Sequence, residues 1–169
     1  MFRSLRFVGV GFVLAACLLA RDCAADPPEP AKVKLSETEQ KILDLTNQAR
    51  AKEKLPPLQP NALLFDAARG HSANMARKGE MNHVLDGKEP KDRIKATGYR
   101  YSVAGENIGE AEGANLPGQI FDDWMNSKLH RANILDREFT EIGIGYARND
   151  KGEWYYTQVF ARPKKKAGP

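Results

Sequence analysis

The sequence predicts an α+β domain built as a layered sandwich. Two observations carry that reading: helical periodicity fills most of residues 36 to 126, and a hairpin rich in aromatic and β-branched residues follows late in the chain. A third, the absence of cysteine from that whole region, means that an exported version of the domain would have no disulfide and would rest on its core.

The elements follow in order. "SETEQKILDLTNQARAKEKL" opens with Ser36 and Glu39, the spacing of a capping box, and then places Ile42, Leu45 and Ala49 on one helical face. The helix should run for roughly 16 residues and end at "PPLQP", because proline cannot continue the hydrogen-bond ladder. A second helix starts near Asn61, carries Leu64, Ala68, His71 and Met75 on one face, and stops at Gly79. "EPKDRIKATGY" predicts a short third helix ending at Gly98. "LPGQIFDDWMNS" predicts a fourth, with Ile120, Phe121 and Trp124 turned inward, and Ser127 could cap a further short helix. "EIGIGYAR" and "EWYYTQVFAR" alternate as strands around the turn "NDKG". "YSVAGENIG" is a weaker strand candidate.

Length and composition fit one domain. The chain has 169 residues, 41% apolar and 28% charged. Arg3 and Arg6 precede an apolar run from Phe7 to Ala20, which reads as an export signal, with small residues at Cys23-Ala24-Ala25 for cleavage before Asp26. "LAAC", Leu14 to Cys17, is the alternative: a lipobox that would anchor a lipoprotein at Cys17. The expected organisation is therefore a signal peptide over 1–25, a linker over 26–35, the domain over 36–162 and a basic disordered tail over 163–169. The location is expected to be secreted or periplasmic. Cleavage after Ala25 removes both cysteines, Cys17 and Cys23. It also lowers the net charge from +4 by removing Arg3, Arg6, Arg21 and Asp22, which leaves 23 basic against 21 acidic residues. The small excess sits in "RPKKKAGP", without aromatic interleaving, so no nucleic-acid partner is expected. A monomer is expected.

Three histidines and one glutamate raise a question of chemistry. Glu106 lies in "VAGENIGE" between Gly105 and Gly109, either as part of a surface turn or as a carboxylate held inward. If it is inward, Asn107 could hold the turn through local backbone bonds. His71 lies on the apolar stripe of the second helix and reads as a core or half-buried histidine with one hydrogen bond. His83 lies in a loop, and His130 follows the fourth helix. His83, Glu106 and His130 form a zinc-type ligand set with an open position, or a metal-free acid–base cluster, or a scaffold of paired buried groups. No HExxH, CxxC, GxSxG or P-loop pattern occurs, so covalent acyl chemistry has little support.

"HSANMARKGEMNH", "DRIKATGY", "GENIG", "WMNSKLHRANIL", "IGIGYA" and "YYTQVF" occur in this order. Together they resemble the CAP superfamily of cysteine-rich secretory proteins, antigen 5 and plant pathogenesis-related proteins, and its bacterial SCP-like extracellular branch in particular. The resemblance spans roughly residues 38 to 162. It implies a three-layer α–β–α sandwich around a small central antiparallel sheet. It also implies a cleft that, in eukaryotic members, is lined by two histidines and two glutamates and can hold zinc or another divalent cation. His83 matches the first histidine and Glu106 the glutamate of "GEN". Ser127 stands where eukaryotic members have the second glutamate, and Tyr155 where they have the second histidine; His130 matches the histidine of the bacterial branch. The function implied is a binding or interaction module for a small-molecule, lipid or protein ligand. The alternative is a metal-assisted hydrolase, a protease or cell-envelope enzyme, using the same cleft.

Overall fold

The computed structural model describes residues 33–114 and 116–165. The expected signal peptide, most of the expected linker and the end of the basic tail lie outside the described residues.

Helix α1 spans Glu37–Lys52. Ser36 and Glu39 close the capping box reciprocally: the Ser36 amide donates to Glu39 Oε2 (2.8 Å), and the Glu39 amide donates to Ser36 Oγ (3.3 Å). The helix ends before the proline pair. Lys54 turns the chain at φ +58°, and the Leu55 amide donates to the Arg50 carbonyl. Prolines 56 and 57 therefore follow a stop already made by main-chain geometry. After Leu58, Gln59–Pro60 form a short strand β1.

Helix α2 (Ala62–Lys78) is capped by Asn61, whose side chain accepts from the Leu63 amide. It ends at Gly79 in the left-handed region, φ +62°, where a Cβ would be strained. Helix α3 is Pro90–Ala96, strand β2 is Tyr101–Glu112, helix α4 is Pro117–Asn126 and helix α5 is Lys128–Ile134. Strands β3 (Glu141–Arg148) and β4 (Glu153–Pro163) complete the sheet in the order β1-β3-β4-β2. β2, β3 and β4 pair antiparallel, but β1 pairs parallel with β3, an edge the sequence pattern did not suggest.

The period of two along the strands assigns the layers. Ile142, Ile144, Tyr156 and Phe160 face α1 and α4, in a core with Ile42, Phe65, Ile120 and Trp124. Val159 and Ala161 face the other way, with Leu64, Ala68 and Ile94. The sheet thus lies between α2 and α3 on one side and α1, α4 and α5 on the other, a three-layer α–β–α sandwich. Gly143 and Gly145 permit the close approach of β3 to α2, since a Cβ at either would collide with the α2 backbone at Leu64 and Ala68. Arg50 is 1% exposed and is held by main-chain carbonyls: Nε donates to Pro56, Nη1 to Ile134 and Asp136, and Nη2 to Phe139. It joins α1 to the segment between α5 and β3.

Candidate functional site

Glu106 sits in the middle of β2, opposite Val159 of β4, and not in a turn. It is 7% exposed. Because successive strand residues face opposite sides, Glu106 points toward α2 and α3, and Asn107 toward α5. Gly105 and Gly109 share Asn107's face. There a Cβ on Gly105 would meet the Phe139 ring at 2.8 Å, and one on Gly109 would meet Ile120 and the Trp124 indole. The glycines around Glu106 therefore let the opposite layer pack closely. They do not form a turn.

The carboxylate gathers three side chains. His83 Nδ1 lies 2.8 Å from Glu106 Oε1. Arg93, on α3, donates through Nη2 to both Glu106 oxygens, at 2.8 and 2.9 Å. His71, on α2, is fully buried with Nε2 3.8 Å from Oε1. Arg93 also donates to the main-chain carbonyls of His83 (3.0 Å) and Lys88 (2.8 Å), so one guanidinium fixes both the carboxylate and the loop that carries His83. That loop is seated from below by Leu85, which is buried with Met75 and Ile108.

His71 departs from its expected single hydrogen bond. No hydrogen bond of ordinary geometry reaches either ring nitrogen, and a weaker contact with the Asn82 main chain approaches the ring. Burial pushes its imidazole down to about 4; the Glu106 charge opposes this, and the charges of Arg93 and His83 add to it. Arg93 Nε is likewise buried without a partner.

The other expected site residues stand differently. His130 lies on α5, and its main-chain carbonyl accepts from Asn107 Nδ2 at 3.0 Å. Its imidazole is pushed below the usual histidine range, by burial first and by the charge of His83 second. Since β2 is the sheet's edge strand, His83 and His130 approach that edge from opposite layers. Ser127 begins α5, but its hydroxyl makes no capping bond. Tyr155 is buried on Glu106's face of the sheet, four residues along β4 from Val159, or about 13 Å at strand spacing. Its hydroxyl donates to Glu153 Oε2 at 3.1 Å, and burial raises its pKa.

Asn107 does not bond its own turn. It is fully buried and crosses the fold, donating to the His130 carbonyl and to Gln158 Oε1 and accepting from Asn133 Nδ2 at 2.8 Å. Nothing in the pattern of "DRIKATGY" assigns Arg93 a role. The one available signal was a lone arginine on a short helix ten residues after a loop histidine.

Beside His83 and Glu106 opens a cleft of about 290 Å³ between α3 and β2, with Pro90, Ile94, Tyr101 and Ala104 along its walls. The donor set does not fit a divalent cation as it stands. Both Glu106 oxygens accept from Arg93, so a metal at the carboxylate would sit against a fixed positive charge. Among the described residues no group of three or more His, Cys, Asp or Glu side chains is arranged to hold a metal.

The fold and site define an α–β–α sandwich with a carboxylate–imidazole cluster at the sheet edge. The chain belongs to the cysteine-rich secretory protein (CAP) family, whose pattern matches residues 43–160. YkwD of Bacillus subtilis (strain 168) is 40% identical over 127 residues, covering 75% of this chain and 48% of that protein. YlbC, a membrane protein of the same organism, is 33% identical over 126 residues, covering 74% and 34%. The chain thus spans half or less of the length of these curated relatives. An extracellular SCP-domain protein from Bacillus anthracis str. Ames superposes with a TM-score of 0.65 at 31% identity, covering 78% of this chain and 45% of that one. Among the described residues no helix is long and apolar enough to cross a membrane.

Proposed function

We propose that this chain is an exported, non-enzymatic binding module that takes a small ligand, apolar in body with one hydrogen-bonding end, in the cleft between α3 and β2. One observation carries the reading. Half-exposed His83 is tethered through Nδ1 to the buried Glu106 carboxylate, so the ring is preorganised in a cleft whose apolar wall of Pro90, Ile94, Tyr101 and Ala104 is bordered by the charged Glu89 and Lys91. A volume of about 290 Å³ suits a ligand at the small end of the range such sites take. The basic, apolar and small-residue order of residues 3–25 supports export.

Native mass spectrometry of protein recovered from its export compartment tests this. Wild type should carry a bound small mass. Ala104→Trp, which fills the cleft, should lose it, and His83→Ala should retain less. A bare wild-type protein overturns the reading. Turnover of ester or peptide substrates that disappears in His83→Ala would replace it with a hydrolase, using the Glu106–His83 pair as a general base.

A further inference from the structure

We propose that Arg93 is the resident cation of the Glu106 cluster, standing where a divalent metal would otherwise bind, and that this chain's site is metal-free because of it. This holds whatever the cleft binds.

The argument starts from the ligand chemistry. Glu106 is buried and needs a positive partner. His71 cannot be that partner in its neutral form, and both of its ring nitrogens lie in the interior without hydrogen bonds. His83 offers one nitrogen to the carboxylate. Two imidazoles and one carboxylate on three different elements are a donor set that transition metals favour. Here the charge is supplied by a guanidinium. Arg93 Nη2 reaches both oxygens, and its side chain is 12% exposed against 2% for Glu106, so the pair is shielded from water.

The guanidinium is also anchored from outside the cluster, by the carbonyls of His83 and Lys88. It is therefore held in place by the loop and is not merely attracted to the carboxylate. A divalent ion would have to displace a cation fixed by three separate acceptors, or bind beside it against like charge. As placed, His71, His83 and Glu106 are not arranged as a metal-holding group.

Calorimetric titration of the full chain with zinc chloride at neutral pH tests the proposal. Wild type should show no saturable binding. Arg93→Met should gain a saturable zinc site, because removing the guanidinium takes a like charge away from His71, His83 and Glu106. Adding His71→Asn or Glu106→Gln to that variant should remove the gain. A folded Arg93→Met protein that binds zinc no better than wild type overturns the proposal. A second measurement does not depend on that variant folding. The ring-nitrogen signals of His71 and His83 in wild type, followed by NMR, should not move on addition of zinc. A shift of either signal that saturates with zinc overturns the proposal.

Discussion

The two faces of β2 carry buried polar groups one residue apart, and they are provisioned differently. On the face toward α5, Asn107 bonds the His130 carbonyl, Gln158 and Asn133. Gln158 passes the chain on to Thr46 at 3.0 Å, and the Thr46 hydroxyl to the Ile42 carbonyl at 2.8 Å. The network runs from α5 through two strands to α1. On the face toward α2 and α3, Glu106 is paired, but both nitrogens of His71 and Nε of Arg93 make no hydrogen bond of ordinary geometry. Each such atom costs about 1–3 kcal/mol. A fold that satisfies one face and leaves atoms unsatisfied on the other is expected where the second face serves a site and the first is scaffold.

Four experiments break or sharpen that contrast. The largest effect belongs to the scaffold face. Trp124 is 1% exposed, and its indole donates to the Ile108 carbonyl at 2.9 Å. Trp124→Ala should cost about 3–5 kcal/mol, read as a lower urea midpoint. An unchanged midpoint would mean that α4 contributes nothing to holding β2.

Next comes Glu106→Gln. It leaves the Arg93 guanidinium in a shielded place with carbonyls but no counter-charge, at a cost of about 3 kcal/mol. Adding Arg93→Met should recover much of that loss in chemical denaturation. A double variant as unstable as the single one would show that the pair is not what the loss measures.

The third effect is pH-dependent. Burial holds His71 at about 4, below its ordinary 6.5, so between those values the unfolded chain binds the extra proton. The corresponding stability is present in full above pH 6.5 and is lost as pH falls toward 4, by up to about 3 kcal/mol. His71→Gln should flatten that decline in thermal melts from pH 7 to 4. A parallel decline in both proteins would assign the acid sensitivity elsewhere.

The smallest is Asn107→Ala, which leaves the Gln158 and Asn133 side chains and the His130 carbonyl short of a partner, at a cost of about 2 kcal/mol. The ligand occupancy of the cleft should survive it. Loss of the ligand with full stability would reverse the assignment of the two faces.

Much of this architecture was legible because its signals are local. The Ser36–Glu39 capping box, the Asn61 and Gly79 ends of α2 and the hairpin closed by Gly152 at φ +93° all arise from residues within a few positions of one another. The site was only partly legible. His83 and Glu106 stood out as polar residues in distinctive settings, yet Ser127 and Tyr155 form no polar bond with them, and His71, read as core, lies against the carboxylate. Tyr155 could not have been judged in advance. Whether its hydroxyl turns to Glu106 or to Glu153 depends on the register of β2 against β4, and that register places Glu110 beside it.

By itself the sequence determined where helices begin and end, which strand residues alternate, and that one carboxylate would lie among small residues. These follow from backbone sterics and from periods of 3.6 and 2, which operate over a few residues. The tertiary structure alone decided that Glu106 and Asn107 face opposite layers with opposite consequences. It also decided that Arg50 would be buried among four carbonyls, and that Arg93 would meet a carboxylate 13 residues away. Charge and hydrogen bonding act through space, so the partner of a buried ion is set by which elements the core brings together, and no local pattern records that choice.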